Sequence, residues 1–144
     1  METLHHLTRR QLEALESIQS HETPSRGAPL KSIAASLGLS APSALGHVTP
    51  LEELGLVIRH RGKSRLTERG RGTLLEYRRH HRVAERLFSD IGLRPSEICR
   101  AAQEIDLALS HSTVEKLCAA EGHPEVCPHG EPIQPCSNRR VMGS

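Results

Sequence analysis

The order of signals from Leu30 to Thr67, LKSIAASLGLSAPSALGHVTPLEELGLVIRHRGKSRLT, restricts the possible folds more than any other stretch of this chain. Leu30, Ile33, Ala34 and Leu37 recur at helical spacing, and Gly38 stops that short helix. Ser40 is an N-cap for a second helix that runs to Gly55. Pro42 falls in its first turn, where a missing N–H costs nothing. Pro50 lies in that helix's interior and predicts a distortion near His47–Thr49. LVIRHRGKSRLT then reads as two short strands around Arg61-Gly62-Lys63. Short helix, glycine turn, second helix and basic hairpin is the order of a winged helix-turn-helix.

The flanks are helical. Leu7, Leu12, Leu15 and Ile18 mark an amphipathic helix over about residues 7–20, which HETPSRGAP ends. Thr67 is positioned to cap a long helix over about 68–89, whose start Gly70 and Gly72 weaken. Gly92 and Pro95 separate it from a helix at about 96–109, and Ser110 or Ser112 caps another that ends at Gly122. The expected architecture is mostly α with a small β wing: an N-terminal winged helix-turn-helix and a C-terminal helical dimerisation domain. The expected boundaries are 1–75 for DNA binding, 76–136 for dimerisation and metal or cluster binding, and 137–144 for a polar tail. With no tryptophan, one tyrosine and one phenylalanine, the core is aliphatic and thin, so oligomerisation would complete it. No run approaches the roughly 20 apolar residues of a membrane span, and METLHHLTRR lacks the apolar stretch of a signal peptide. The expectation is a cytoplasmic protein, where disulfides are rare.

The net charge of +2 conceals an asymmetry. Residues 1–80 carry 12 Lys/Arg against 8 Asp/Glu, while residues 81–144 carry 7 against 9. Residues 56–72 hold Arg59, Arg61, Lys63, Arg65, Arg69 and Arg71 against Glu68 alone. Charge runs are commonly just solvated faces, but after a helix-turn-helix this one suits a polyanion. Ser40, Pro42, Ser43, Gly46 and His47 are the candidates to meet base edges of double-stranded DNA, where small side chains allow close approach. Arg59, Arg61, Lys63 and Arg65 would supply the salt-dependent phosphate contacts. One such module binds weakly, so a homodimer reading two half-sites is expected.

Soft ligands collect at the other end. KLCAAEGHPEVCPHGEPIQPC holds Cys118, Cys127 and Cys136, with eight residues in each gap, and His123 and His129 between them. With Cys99 these make four thiols, a set that suits an iron–sulfur cluster or tetrahedral zinc. Cys99 and Cys118 fall on helices and are equally read as packed hydrophobes. His123 and His129 read as local caps or loop hydrogen-bonding groups, with metal ligation as the lesser alternative. No cysteine has a nearby motif supplying base and oxyanion groups, so an enzyme with a small-molecule substrate is not expected.

Several segments resemble the metal-dependent repressors typified by the diphtheria toxin repressor and the manganese transport regulator. They are SLGLSAPSALGHVTPLEELGLV, the wing ending in LTERG, HRVAERLFSDIGL, ALSHSTVEKL and GHPEVCPHGEPI. The resemblance covers roughly residues 5–135 and implies a short two-domain form acting as a homodimeric transcriptional repressor. It assigns an ancillary metal site to His81 and Glu85, with Cys99 at the third position. At the family's primary site this chain has Arg10, Gln103, Asp106 and Leu107. Only Asp106, with Glu104 nearby, could still bind an ion there, and a cation at Arg10 opposes one.

The sequence reading is therefore a repressor of iron or metal homeostasis that senses through a cluster on Cys99, Cys118, Cys127 and Cys136. Its alternative is a divalent ion, Fe²⁺, Mn²⁺ or Zn²⁺, at His81, Glu85 and Cys99. A structural zinc protein without sensing is the further option.

Overall fold

The computed structural model describes residues 3–134. Cys136 and the tail therefore lie outside the described residues. The chain divides into two compact units. One is Leu7–Leu74; the other joins residues 3–6 to residues 75–134. The sequence reading puts the N-terminal residues wholly with the first half. Instead Thr3–His6 forms a single 3₁₀ turn in the second unit, where the His5 ring meets the Leu109 carbonyl at 3.2 Å.

In the first unit, α1 (Arg9–His21) opens with a reciprocal cap. The Thr8 hydroxyl accepts from the Gln11 amide at 3.1 Å, and the Gln11 side chain accepts from the Thr8 amide at 3.0 Å. Helix α2 (Leu30–Leu37) ends at Gly38, whose φ of 68° is the left-handed conformation glycine adopts freely. Helix α3 (Ala41–Glu53) starts at Ser40, whose hydroxyl accepts from the Ser43 amide at 3.3 Å. It runs unbroken through Pro50, so the distortion expected there does not interrupt it. Leu12, Leu15, Ile18, Ile33, Val48 and Leu51 are fully buried and form the aliphatic core that the composition required.

The wing has three strands, one more than expected. β1 (Ala28–Pro29), β2 (Val57–His60) and β3 (Lys63–Leu66) form an antiparallel sheet in the order β1-β3-β2. β2 and β3 are joined by Arg61-Gly62 with both φ values positive, 50° and 76°, the two-residue turn whose twist matches paired strands. Alternation sets which side chains face out. Val57↔Leu66 and Arg59↔Ser64 share the inner face; Ile58↔Arg65 and His60↔Lys63 share the outer.

Helix α4 (Glu68–Asp90) begins in the first unit and continues in the second. Thr67 caps it: the hydroxyl accepts from the Gly70 amide at 3.0 Å and donates to the Gly55 carbonyl at 2.7 Å. Gly70 is there for space. A Cβ at that position would lie 2.1 Å from the Leu56 carbonyl oxygen. The second unit adds α5 (Pro95–Ile105), then α6 (His111–Ala120) capped by Ser110. The segment beyond turns back on itself through a bridge between Val126 and Pro132. Val83, Val114, Cys118, Cys127 and Ile133 pack together as the apolar centre. No helix among the described residues is long and apolar enough to cross a membrane.

Candidate metal centre and nucleic-acid surface

On α4, His81 and Glu85 are one turn apart and share a face. Across from them on α5 stands Cys99. His81 Nε2 is 3.5 Å from Glu85 Oε1 and 3.6 Å from Cys99 Sγ. Ligands bonded to one tetrahedral ion at about 2.0–2.3 Å lie about 3.3–3.8 Å apart, so these three donors stand at ligand spacing. Glu85 is buried and Cys99 exposed, which leaves one side open to solvent.

Asp106 does not join them as a fourth ligand. It is fully buried, and its Oδ2 accepts from the Tyr77 hydroxyl at 2.8 Å and from His81 Nδ1 at 2.8 Å. A carboxylate only accepts, so Nδ1 carries the proton and the lone pair sits on Nε2, toward Glu85 and Cys99. This is the carboxylate–histidine pairing that orients metal-ligating imidazoles. The sequence alone makes Asp106 a weak ligand; its geometry is that of a group behind the ligand. Arg10, the cation expected to oppose an ion, donates to the Leu37 carbonyl at 3.0 Å and to Glu13 at 3.2 Å, inside the first unit. Gln103 and Glu104 are exposed on α5, and Leu107 is half-buried.

His129 reaches beyond its own loop. Of its expected roles it takes that of a loop hydrogen-bonding group: its Nδ1 donates to Glu85 Oε2 at 2.7 Å, and with buried Cys127 the two residues make a second group around that carboxylate. At 2.7 Å this is a hydrogen bond, closer than two ligands of one ion stand, so the His81 group fits an ion more directly. His123 is local, with Nδ1 3.6 Å from Cys118 Sγ. A third group, Glu76, His80 and His111, escaped the sequence reading entirely.

Cys118 and Cys127 are buried in one apolar cluster with Val83 and Val114, Cys127 also lying near Glu85, whereas Cys99 is exposed beside His81. Among the described residues no candidate group contains two thiols. The cluster expected on Cys99, Cys118, Cys127 and Cys136 gains no support from these positions: Cys99 lies apart from the buried pair, and Cys136 is outside the described residues.

On the first unit, α3 exposes Ser40, Pro42, Ser43, Gly46 and Thr49, with His47 half-buried. Thr49, absent from the sequence prediction, donates to the Leu45 carbonyl at 3.0 Å. A groove of about 240 Å³ on the wing is lined by Arg26, His60, Arg61, Lys63 and Arg65. Arg26 was not anticipated, because it precedes the β2–β3 hairpin in sequence by some thirty residues. Arg65 also donates to the Thr23 carbonyl at 2.7 Å, which fixes it. Arg59 is the exception among the expected phosphate contacts. The register sets it opposite buried Ser64 on the inner face, with its Nε covered.

The sequence and the fold match known proteins. The family described as "Iron dependent repressor, metal binding and dimerisation domain" matches residues 67–135. The iron-dependent repressor IdeR of Mycobacterium tuberculosis is 35% identical over 109 residues, 73% of this chain and 47% of the relative. The chain belongs to the family of the diphtheria toxin repressor and the manganese transport regulator. Its fold is that of these regulators, a winged helix-turn-helix with a dimerisation domain. A hypothetical protein of Sulfolobus solfataricus superposes with a TM-score of 0.83 at 30% identity, covering 89% of this chain and 99% of that one. A manganese-dependent transcriptional repressor in complex with manganese gives 0.68 at 30% identity, covering 86% of this chain and 57% of that one. The chain spans about half the length of the curated relatives it matches.

Proposed function

We propose that this protein is a homodimeric transcriptional repressor whose operator affinity depends on a divalent ion at His81, Glu85 and Cys99. The observation that carries this is the triplet at ligand spacing with Asp106 fixing the His81 tautomer. When bound, the ion would supply a charge that ties α4 to α5. The chain's own residues do the rest. Asp106 aims Nε2, Glu85 offers its Oε1, and Cys99 adds a thiolate, whose softness favours iron or zinc over manganese. The relatives are named as iron- and manganese-dependent repressors, which supports the divalent class. Dimerisation is supported by the family match and by exposed Leu75 and Ile91 in the second unit. In each protomer α3 would read base edges, and Arg26, Arg61, Lys63 and Arg65 would track phosphates.

The test is fluorescence anisotropy on a duplex selected from a random library with the metal-loaded protein. Affinity with Fe²⁺ or Zn²⁺ is expected to exceed that in chelator by about 5–150-fold, the usual range of allosteric coupling. His81→Ala is expected to abolish that ratio. Equal affinity with and without ion, in a chain that binds the ion, would refute the proposal.

A further inference from the structure

We infer that Glu76, His80 and His111 form a second, thiol-free divalent-metal site that staples α6 to α4. Glu76 and His80 are one turn apart on α4, and His111 is the first residue of α6. Glu76 Oε1 lies 3.6 Å from His80 Nε2 and 3.6 Å from His111 Nδ1. Both separations sit within the spacing that two ligands of one tetrahedral ion keep, about 3.3–3.8 Å. The two rings stand 6.2 Å apart, centroid to centroid, and tilted by 30°.

The surroundings match those of a metal-ligating histidine. His111 Nε2 is 3.1 Å from Glu115 Oε1, one turn on along α6. With the Nε2–H donating to that carboxylate, the His111 lone pair is on Nδ1, toward Glu76. His81 and Asp106 show the same device with the nitrogens exchanged. An ordinary ion-pair face would not need the buried imidazole, yet His80 is 1% exposed. Its partners Glu76 and His111 are half-buried, so one coordination position faces solvent. Two imidazoles and a carboxylate suit Zn²⁺, Fe²⁺ or Co²⁺ and need no thiol. The site is therefore insensitive to thiol oxidation, unlike the one at Cys99.

Cobalt distinguishes the two, because a thiolate adds a sulfur-to-cobalt charge-transfer band that imidazole and carboxylate do not. The full chain titrated with Co²⁺ should bind one ion with the sulfur band and another with visible d–d bands alone. His111→Ala should lose the second ion and keep the first, and zinc retained through gel filtration should fall by one per chain. Glu85→Gln, which alters both other groups, should keep the thiol-free ion; Glu85→Gln with His111→Ala should keep none. The inference is overturned if folded His111→Ala retains the wild-type stoichiometry and spectrum. It is equally overturned if the wild-type chain takes up no ion outside the sulfur band.

Discussion

Asp106 is fully buried, and its Oδ2 accepts two hydrogen bonds, from Tyr77 and His81. Asp106→Asn would let the His81 ring turn and would weaken its choice of tautomer. Such supporting partners usually contribute 10–100-fold in metal affinity. We expect a loss in that range by chelator competition, with Tyr77→Phe costing less because it leaves the carboxylate. Gly70 is decided by space rather than chemistry. Gly70→Ala drives a methyl into the Leu56 carbonyl, and we expect a loss of about 1–3 kcal/mol in denaturant unfolding. Glu121 is a titration case. Burial, reinforced by the Asp90 charge and opposed by Arg86, raises its carboxyl from 4.5 to about 7. The native state therefore binds its proton more tightly than the unfolded chain does. Its contribution is full below pH 4.5 and is lost as pH rises through about 7. Both carboxylate oxygens are covered although the residue is only half-buried, so solvent screens part of the effect. Glu121→Gln should flatten the fall in melting temperature between those two pH values.

Elements were readable where one local signal decides them. Gly38 ends α2 and Ser40 starts α3 because a left-handed φ and a free hydroxyl are local needs. β1 was not readable, since two residues, Ala28 and Pro29, hold no alternation and are strand only through pairing with β3. The site divides in the same way. His81 and Glu85 were legible because they sit four apart on one helix. The link of His129 to Glu85, and of His111 to Glu76, crosses between separate segments and leaves no periodic trace. The signal available for the latter was a pair of histidine–carboxylate repeats four apart, on α4 and on α6. On α3, a Cβ at Gly46 would meet nothing within 4 Å. Gly46→Ala should therefore stabilise the helix by about 0.5–1 kcal/mol. The same methyl would project from the exposed face, so operator affinity should fall while the melting temperature rises.

At the scale of the whole molecule, the cation groove would make the proposed operator binding an ion-exchange process. Arg61→Ala with Lys63→Ala removes two cations from each protomer. In a dimer, the slope of log affinity against log salt should become shallower by about 3–4, at roughly 0.9 for each phosphate that is no longer neutralised. Arg59→Ala should leave that slope nearly unchanged, because Arg59 stands on the wing's inner face.

Cys99 is an exposed thiol, whereas Cys118 and Cys127 are buried. Alkylation by a reagent such as iodoacetamide, followed by mass spectrometry, would thus report occupancy directly: a thiolate engaged by an ion is shielded, and an empty one is carboxamidomethylated within minutes. The molecule carries its own footprinting label at the proposed ion site.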